Sequence, residues 1–191
     1  MKSKVKLQIV EAAGITFNRY GFKKTTMDDI AFAAGKGKSS LYYYFKNKEE
    51  VFEAVTEQEA LILKDEINTA LAKTTSAEAK LRTYITLRMH RFIAKGNLYT
   101  ALNDNFLATF GFIEKIRNKH REWEIEMIDS ILKEGMVSKD FKQSNIDFMG
   151  STILTAMIGF EVPLLKNPEM AHEFDKKIND VINMLFYGIC T

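Results

Sequence analysis

The chain has 191 residues, 46% of them hydrophobic, and a formal net charge of +2, so a globular protein with a substantial core is expected. A single cysteine, Cys190, excludes an intramolecular disulfide and fits a reducing cytoplasm. No run of eighteen apolar residues is present, which argues against a membrane span, and the lysine-bearing N-terminus lacks the apolar stretch of a signal peptide. Charge is unevenly placed: residues 1–50 carry ten Lys and Arg against five Asp and Glu, whereas the rest is mildly acidic. A basic end on a mildly acidic body suggests an anionic partner at that end, with random scatter of charge as the alternative.

With only two prolines and abundant Leu, Ile, Lys, Glu and Ala, the chain is predicted to be all-helical. The first helix is predicted from Lys4 to Tyr20, where Val5, Ile9, Ala12, Ala13, Thr16, Phe17 and Tyr20 recur at three- and four-residue steps. Gly21 is placed to end it. Thr26 and Asp29 have the spacing of a capping box that opens a short helix, Met27 to Ala34, closed by Gly35. A third short helix follows from Lys38 to Phe45. Two short helices around a glycine-bearing turn match the helix-turn-helix pattern.

The third helix contains the run LYYYF between lysines. At about 100° per residue, Leu41, Tyr44 and Phe45 fall on one side, and Lys38, Ser39, Tyr42, Tyr43 and Lys46 on the other, with Ser40 on the flank. A face of lysines, hydroxyls and phenols suits DNA. Ammonium groups neutralise phosphates, phenols donate to phosphate oxygens, and small serines allow close approach to base edges. The structural alternative is that Tyr42 and Tyr43 merely cover a neighbouring helix.

Residues 15–55, ITFNRYGFKKTTMDDIAFAAGKGKSSLYYYFKNKEEVFEAV, resemble the DNA-binding domain of the TetR family of bacterial transcriptional regulators. The resemblance is carried by Phe17 and Gly21, by TTMDDIA from Thr25 to Ala31, by the stretch from Ala34 to Phe45, and by KNKEE from Lys46 to Glu50. Two positions depart from the family pattern: Lys36 stands where a small apolar residue is usual, and Gly37 where a serine caps the recognition helix. The resemblance implies that residues 1–47 form a three-helix DNA-binding domain and residues 48–191 a helical effector-binding and dimerisation domain, about nine helices in all. It implies groove contacts from Lys38, Ser39, Ser40 and Tyr43, and backbone anchors at Thr26, Tyr42, Lys46 and Lys48. Lys36 is a further candidate phosphate contact, and Lys2, Lys4 and Lys6 a candidate arm.

Beyond the head, a long helix is predicted from Lys48 to Ala72, then one from Ala77 to Ala94 capped by Ser76, and a short one from Leu98 to Ala108. Another is predicted from Phe112 to Lys133, broken at Gly135. The last two are predicted from Ser144 to Leu165, with Pro163 kinking or ending the helix, and from Pro168 to Tyr187. These two are rich in large apolar residues. By the resemblance, Ile153, Met157, Phe160, Phe174, Ile178, Val181, Ile182 and Leu185 would meet a symmetry mate in a homodimer; the alternative is that they fill the chain's own core.

The family's small-molecule pocket would be lined by Tyr84, Met89, Phe92, Phe106, Phe110, His120, Trp123, Met127 and Met157, a set suited to a lipophilic or aromatic effector. Each could equally be ordinary core. No P-loop, GxGxxG, HExxH or GxSxG occurs, and His90, His120 and His172 lie on separate predicted helices without metal-ligand spacing. Neither enzymatic activity nor a cofactor or metal is therefore expected. The expected partners are a double-stranded DNA operator, a second copy and a small effector, with no membrane. The competing reading keeps the fold and gives the body a protein partner instead.

Overall fold

The computed structural model describes residues 2–93, 112–142, 148–166 and 173–189. Eight helices are formed among them: α1 (Lys2–Tyr20), α2 (Met27–Ala33), α3 (Lys38–Tyr44), α4 (Lys48–Leu71), α5 (Ala77–Ile93), α6 (Phe112–Ser138), α7 (Met149–Lys166) and α8 (Phe174–Ile189). The helix predicted over 98–108, and with it Phe106 and Phe110, lies outside the described residues, as does the predicted start at Pro168. No described helix is long and apolar enough to cross a membrane.

The chain divides into two compact units. The first runs to Ile62 and takes in the beginning of α6 as far as Arg117; the second holds the described residues of Leu63–Ala94 and Asn118–Thr191. The core of the first is built from Ile9, Ala13 and Phe17 of α1, Ile30 and Ala31 of α2, Leu41 of α3 and Val51, Phe52 and Val55 of α4, with Phe22, Phe45 and Ile116. Phe17, Phe22 and Phe52 form an aromatic knot, with ring centres 5.6, 5.3 and 5.0 Å apart. Two of these contacts are edge-to-face, the arrangement that ring quadrupoles favour. Because α4 supplies three core residues, this compact unit extends past residue 47.

Local chemistry sets the joints. Gly21 (φ 80°) and Gly35 (φ 60°) take left-handed conformations at the ends of α1 and α2, where a side chain would be strained. The second unit is centred on Ile67, Leu81, Tyr84, Ile128, Leu132, Leu154 and Ile182, all fully buried. Neither of the two helix ends that the sequence suggested, at Gly135 and at Pro163, occurs there. Gly135 lies inside α6, which continues to Ser138. A Cβ there would meet the Phe141 ring at 2.1 Å, so this glycine makes room for a ring rather than ending a helix. Likewise α7 continues through Pro163 to Lys166. A proline at 163 has no amide to donate to the carbonyl of Gly159 and its ring crowds that carbonyl, but Gly159 is exposed, so solvent can serve the carbonyl.

Candidate nucleic-acid interface

The recognition-helix candidate α3 is short, and its footing matters more than its length. Leu41 and Phe45 are 0% and 3% exposed, and Tyr44 packs part-buried against the same core. Tyr42 and Tyr43 are 46% and 64% exposed, as the helical spacing predicts. Tyr43 stands edge-on to Tyr44, with ring centres 4.9 Å apart, which limits where its phenol can swing. Lys38, Ser39 and Lys46 are exposed and Ser40 is half-buried on the flank. Gly37 caps α3 in an extended conformation without any side-chain hydrogen bond.

Thr26 and Asp29 form the capping box in full. Asp29 Oδ2 accepts from the Thr26 amide at 2.8 Å and from its hydroxyl at 2.6 Å, and the Asp29 amide donates to Thr26 Oγ1. These bonds to the Thr26 side chain and then its backbone hold the Asp29 carboxyl below the usual carboxylate range. The Thr26 hydroxyl is thus committed to holding α2 at the angle that presents α3. One residue earlier in α2, Asp28 pairs with Lys38 Nζ at 2.9 Å, tying the first turns of α2 and α3 together on the exposed surface. The hydrogen bond that the Lys38 ammonium donates to Asp28, more than the charge of Asp28, raises that ammonium above the usual lysine value.

Two of the sequence-derived contacts change character. Lys48 is half-buried, and its Nζ donates to the carbonyls of Phe22 and Thr25, each at 2.8 Å, while lying 4.4 Å from the centre of the Phe22 ring. It anchors α4 to the α1–α2 turn, and its ammonium is spent there instead of facing outward as a phosphate anchor. Lys36 is half-buried and lines a surface groove of about 380 Å³ with Gln8, Glu11, Ile15 and Ala33. Of the remaining candidates, Lys38, Ser39, Ser40, Tyr42, Tyr43 and Lys46 share one short segment, and Thr26 stands apart from them as the N-cap of α2. Asp28 was missed; the signal was its place one residue before the capping acid, on the side of α2 that reaches α3.

In the second unit the candidate effector residues fall into two groups. Tyr84, Met89 and Met157 are buried, at 0%, 2% and 3% exposure; Phe92, His120, Trp123 and Met127 are half-buried. The Tyr84 hydroxyl donates to Glu124 Oε1 at 3.3 Å, and Arg88 Nε donates to the same oxygen at 3.0 Å. Burial, reinforced by the Glu124 charge, pushes the Tyr84 phenol well up. Lys64 Nζ lies 5.0 Å from the centre of the Trp123 ring. Arg88 and Glu124 were not singled out from the sequence, although Arg88 lies one helical turn beyond Tyr84 and Glu124 beside Trp123. Of the residues expected at a dimer interface, Ile153, Met157, Ile178 and Ile182 are buried in the unit's own core. Phe160 is 44% exposed and Val181 half-buried. The side chains of Phe174 and Leu185 lie outside the described residues.

Known proteins share the N-terminal sequence pattern and the fold. Residues 9–55 match the family model described as bacterial regulatory proteins, tetR family. The uncharacterized HTH-type transcriptional regulator YhgD of Bacillus subtilis is 49% identical over 47 residues, a match spanning 25% of each chain. A transcriptional regulator from Cytophaga hutchinsonii has the same fold over almost the whole length: TM-score 0.82, 30% identity, 96% of this chain and 97% of that one. FadR from Bacillus subtilis, solved in complex with stearoyl-CoA, shares the fold at a TM-score of 0.75 and 20% identity, covering 95% of this chain and 98% of that one.

Proposed function

The chain belongs to the TetR family of bacterial transcriptional regulators, which bind DNA, and from that premise we propose that it is a repressor released by a small molecule. In this reading a dimer holds a pseudo-palindromic operator in the cytoplasm, and a lipophilic or aromatic effector bound in the body ends that hold. The observation that carries the DNA-reading part is the α3 face, where Lys38, Ser39, Tyr42 and Tyr43 stand exposed on a helix pinned from behind by Leu41 and Phe45. Phosphate contacts from Lys38, Lys46 and Tyr42 set register, and Ser39, Ser40 and Tyr43 are placed to read the groove. Residues 1–47 form the DNA-reading part, resting on the first turns of α4, and residues 48–191 the effector and dimer part.

One short helix spans too few base pairs for useful specificity, and two-fold symmetry would set two copies at a spacing of about one DNA turn, ~34 Å. The surface for a second copy is narrower than the sequence suggested, since four of its members are core. Among the described side chains of these two helices, Phe160 of α7 and Met184 of α8, 44% and 75% exposed, are the large apolar residues offered there. A lipophilic effector is supported by the buried Tyr84, Met89 and Met157 and by the stearoyl-CoA bound to a protein of the same fold. Helix α4 is continuous from Lys48 to Leu71 and contributes to both compact units. An effector that prefers one body conformation would therefore shift the population through it.

The test pairs mobility-shift assays on a two-fold operator with thermal-shift screening against lipophilic compounds. Tyr42→Phe should weaken binding to all sequences alike, by roughly threefold to tenfold, the value of one hydrogen bond. A change in base preference would reject the phosphate role of Tyr42. Sedimentation showing a 21.9 kDa monomer at micromolar concentration would reject the dimer. If no compound both stabilised the protein and released DNA, effector control would have to be given up.

A further inference from the structure

The second unit contains a largely buried ion pair, Arg88 and Glu124, with the Tyr84 phenol bonded to its carboxylate. The Glu124 carboxylate accepts from Tyr84, which is fully buried, and from Arg88; the Arg88 and Glu124 side chains are only 12% and 14% exposed. Met89 and Ile128 are buried in the same core, with Trp123 and Met127 packed against it. Drawing two opposite charges out of water costs more than their attraction reliably returns, and apolar residues of the same size commonly pack as well. The pair is poorly explained as a stabilising device. A second cation stands nearby, since Lys64 lies over the ring of Trp123, the neighbour of Glu124 in α6.

We propose that Arg88 is the anchor for the anionic head of an amphipathic effector, and that Glu124 occupies the guanidinium until such a head replaces it. This rests on the reading of the protein as ligand-released. The ligand class is an alkyl chain ending in a carboxylate or phosphate. A guanidinium matches those groups in a planar fork, and the Met and aromatic side chains alongside accept a chain. Displacing Glu124 breaks one ion pair between α5 and α6 and leaves the Lys80–Glu134 pair in place, so head-group binding carries its own conformational signal. The Tyr84 hydroxyl remains to hold the freed carboxylate.

The test measures binding by thermal shift and by release of operator DNA, using hexadecanoate, hexadecanoyl-CoA, hexadecanol and hexadecyltrimethylammonium on wild type, Arg88→Gln and Glu124→Gln. Wild type should prefer the anionic ligands over the alcohol and the cation. Arg88→Gln should lose roughly tenfold to a hundredfold toward the anions, the value of a charged hydrogen bond, and keep its affinity for hexadecanol. Glu124→Gln removes the competitor and should tighten hexadecanoate, and it carries the test alone if Arg88→Gln does not fold. An Arg88-dependent gain for the CoA thioester over the free acid assigns the phosphate source; the reverse order assigns the carboxylate. Equal binding of acid and alcohol by wild type, an anion preference that survives Arg88→Gln, or unchanged hexadecanoate affinity in Glu124→Gln would each overturn the anchor and leave ligand sensing standing. If none of the four compounds, hexadecanol included, stabilises the protein or releases DNA, both the anchor and the ligand-released reading fall.

Discussion

The Lys48 ammonium lies over the ring of Phe22 and at the same time donates to the carbonyl of that residue, with a second bond to the carbonyl of Thr25. One side chain thus closes the turn between α1 and α2 from the α4 side. Lys48→Met keeps the aliphatic stem but leaves two carbonyls without their charged donor. It should destabilise the protein by about 2 kcal/mol, within the range for charge-assisted hydrogen bonds. Urea denaturation checks this. If stability is unchanged while DNA affinity falls, Lys48 is a phosphate contact after all.

Lys38 is shared between Asp28 and any phosphate it meets. Asp28→Asn removes a negative charge beside the DNA-facing surface and releases the ammonium. Binding should tighten several-fold at low salt, and the slope of log affinity against log salt should steepen by about one phosphate contact, ~0.9. Exposed pairs of this kind contribute little to stability, so the melting temperature should stay nearly constant. Fluorescence anisotropy across a salt series would reveal it, and an unchanged slope would remove Lys38 from the interface.

The capping box gives the head a defined acid response. Asp29 has a lowered carboxyl in the folded state, held down chiefly by the Thr26 side chain. Its contribution is therefore fully present above the ordinary carboxylate value and disappears as pH falls through the lower folded value. Thr26→Ala should cost about 1 kcal/mol at neutral pH, as lost helix caps do, and should flatten the stability profile below about pH 4. A variant profile parallel to wild type in that window would mean that the box is not formed in solution.

Gly135 tests the packing within the second unit. In an open helix, Gly→Ala gains up to about 1 kcal/mol, but here the new methyl would fall on the Phe141 ring. Gly135→Ala should instead destabilise by roughly 1–3 kcal/mol, the cost of overpacking. Pairing it with Phe141→Leu should recover part of the loss in a double-mutant cycle.

Much of the head could be read from the sequence because its signals are local. Thr26 and Asp29 make a box across three residues, Gly21 and Gly35 mark the turns by their backbone freedom, and Leu41 and Phe45 reveal their face by helical spacing. What could not be read was decided at a distance. Lys48 looks like any basic residue at a helix start, and only the fold brings it to carbonyls more than twenty residues earlier. Gly135 and Pro163 are reliable breakers in isolation, yet Phe141 needs the space at one, and at the other an exposed turn tolerates a missing hydrogen bond. The apolar stripes of α7 and α8 could not separate core from interface, because the same periodicity serves both, and Ile153, Met157, Ile178 and Ile182 prove to be core.

The aromatic knot of Phe17, Phe22 and Phe52 bears on where the protein can be cut. Phe52 comes from the second turn of α4, so a fragment ending at residue 47 would lose one ring of three, together with Val51, Val55 and the Lys48 tether. Trimming the gene to the helix-turn-helix alone would expose Phe17 and Phe22 to water, and the product should aggregate rather than bind DNA. The shortest continuous stretch worth grafting onto another effector domain runs to Ile62, which keeps every residue of that core except Ile116 of α6, and the splice belongs within α4, in register with its helical turn.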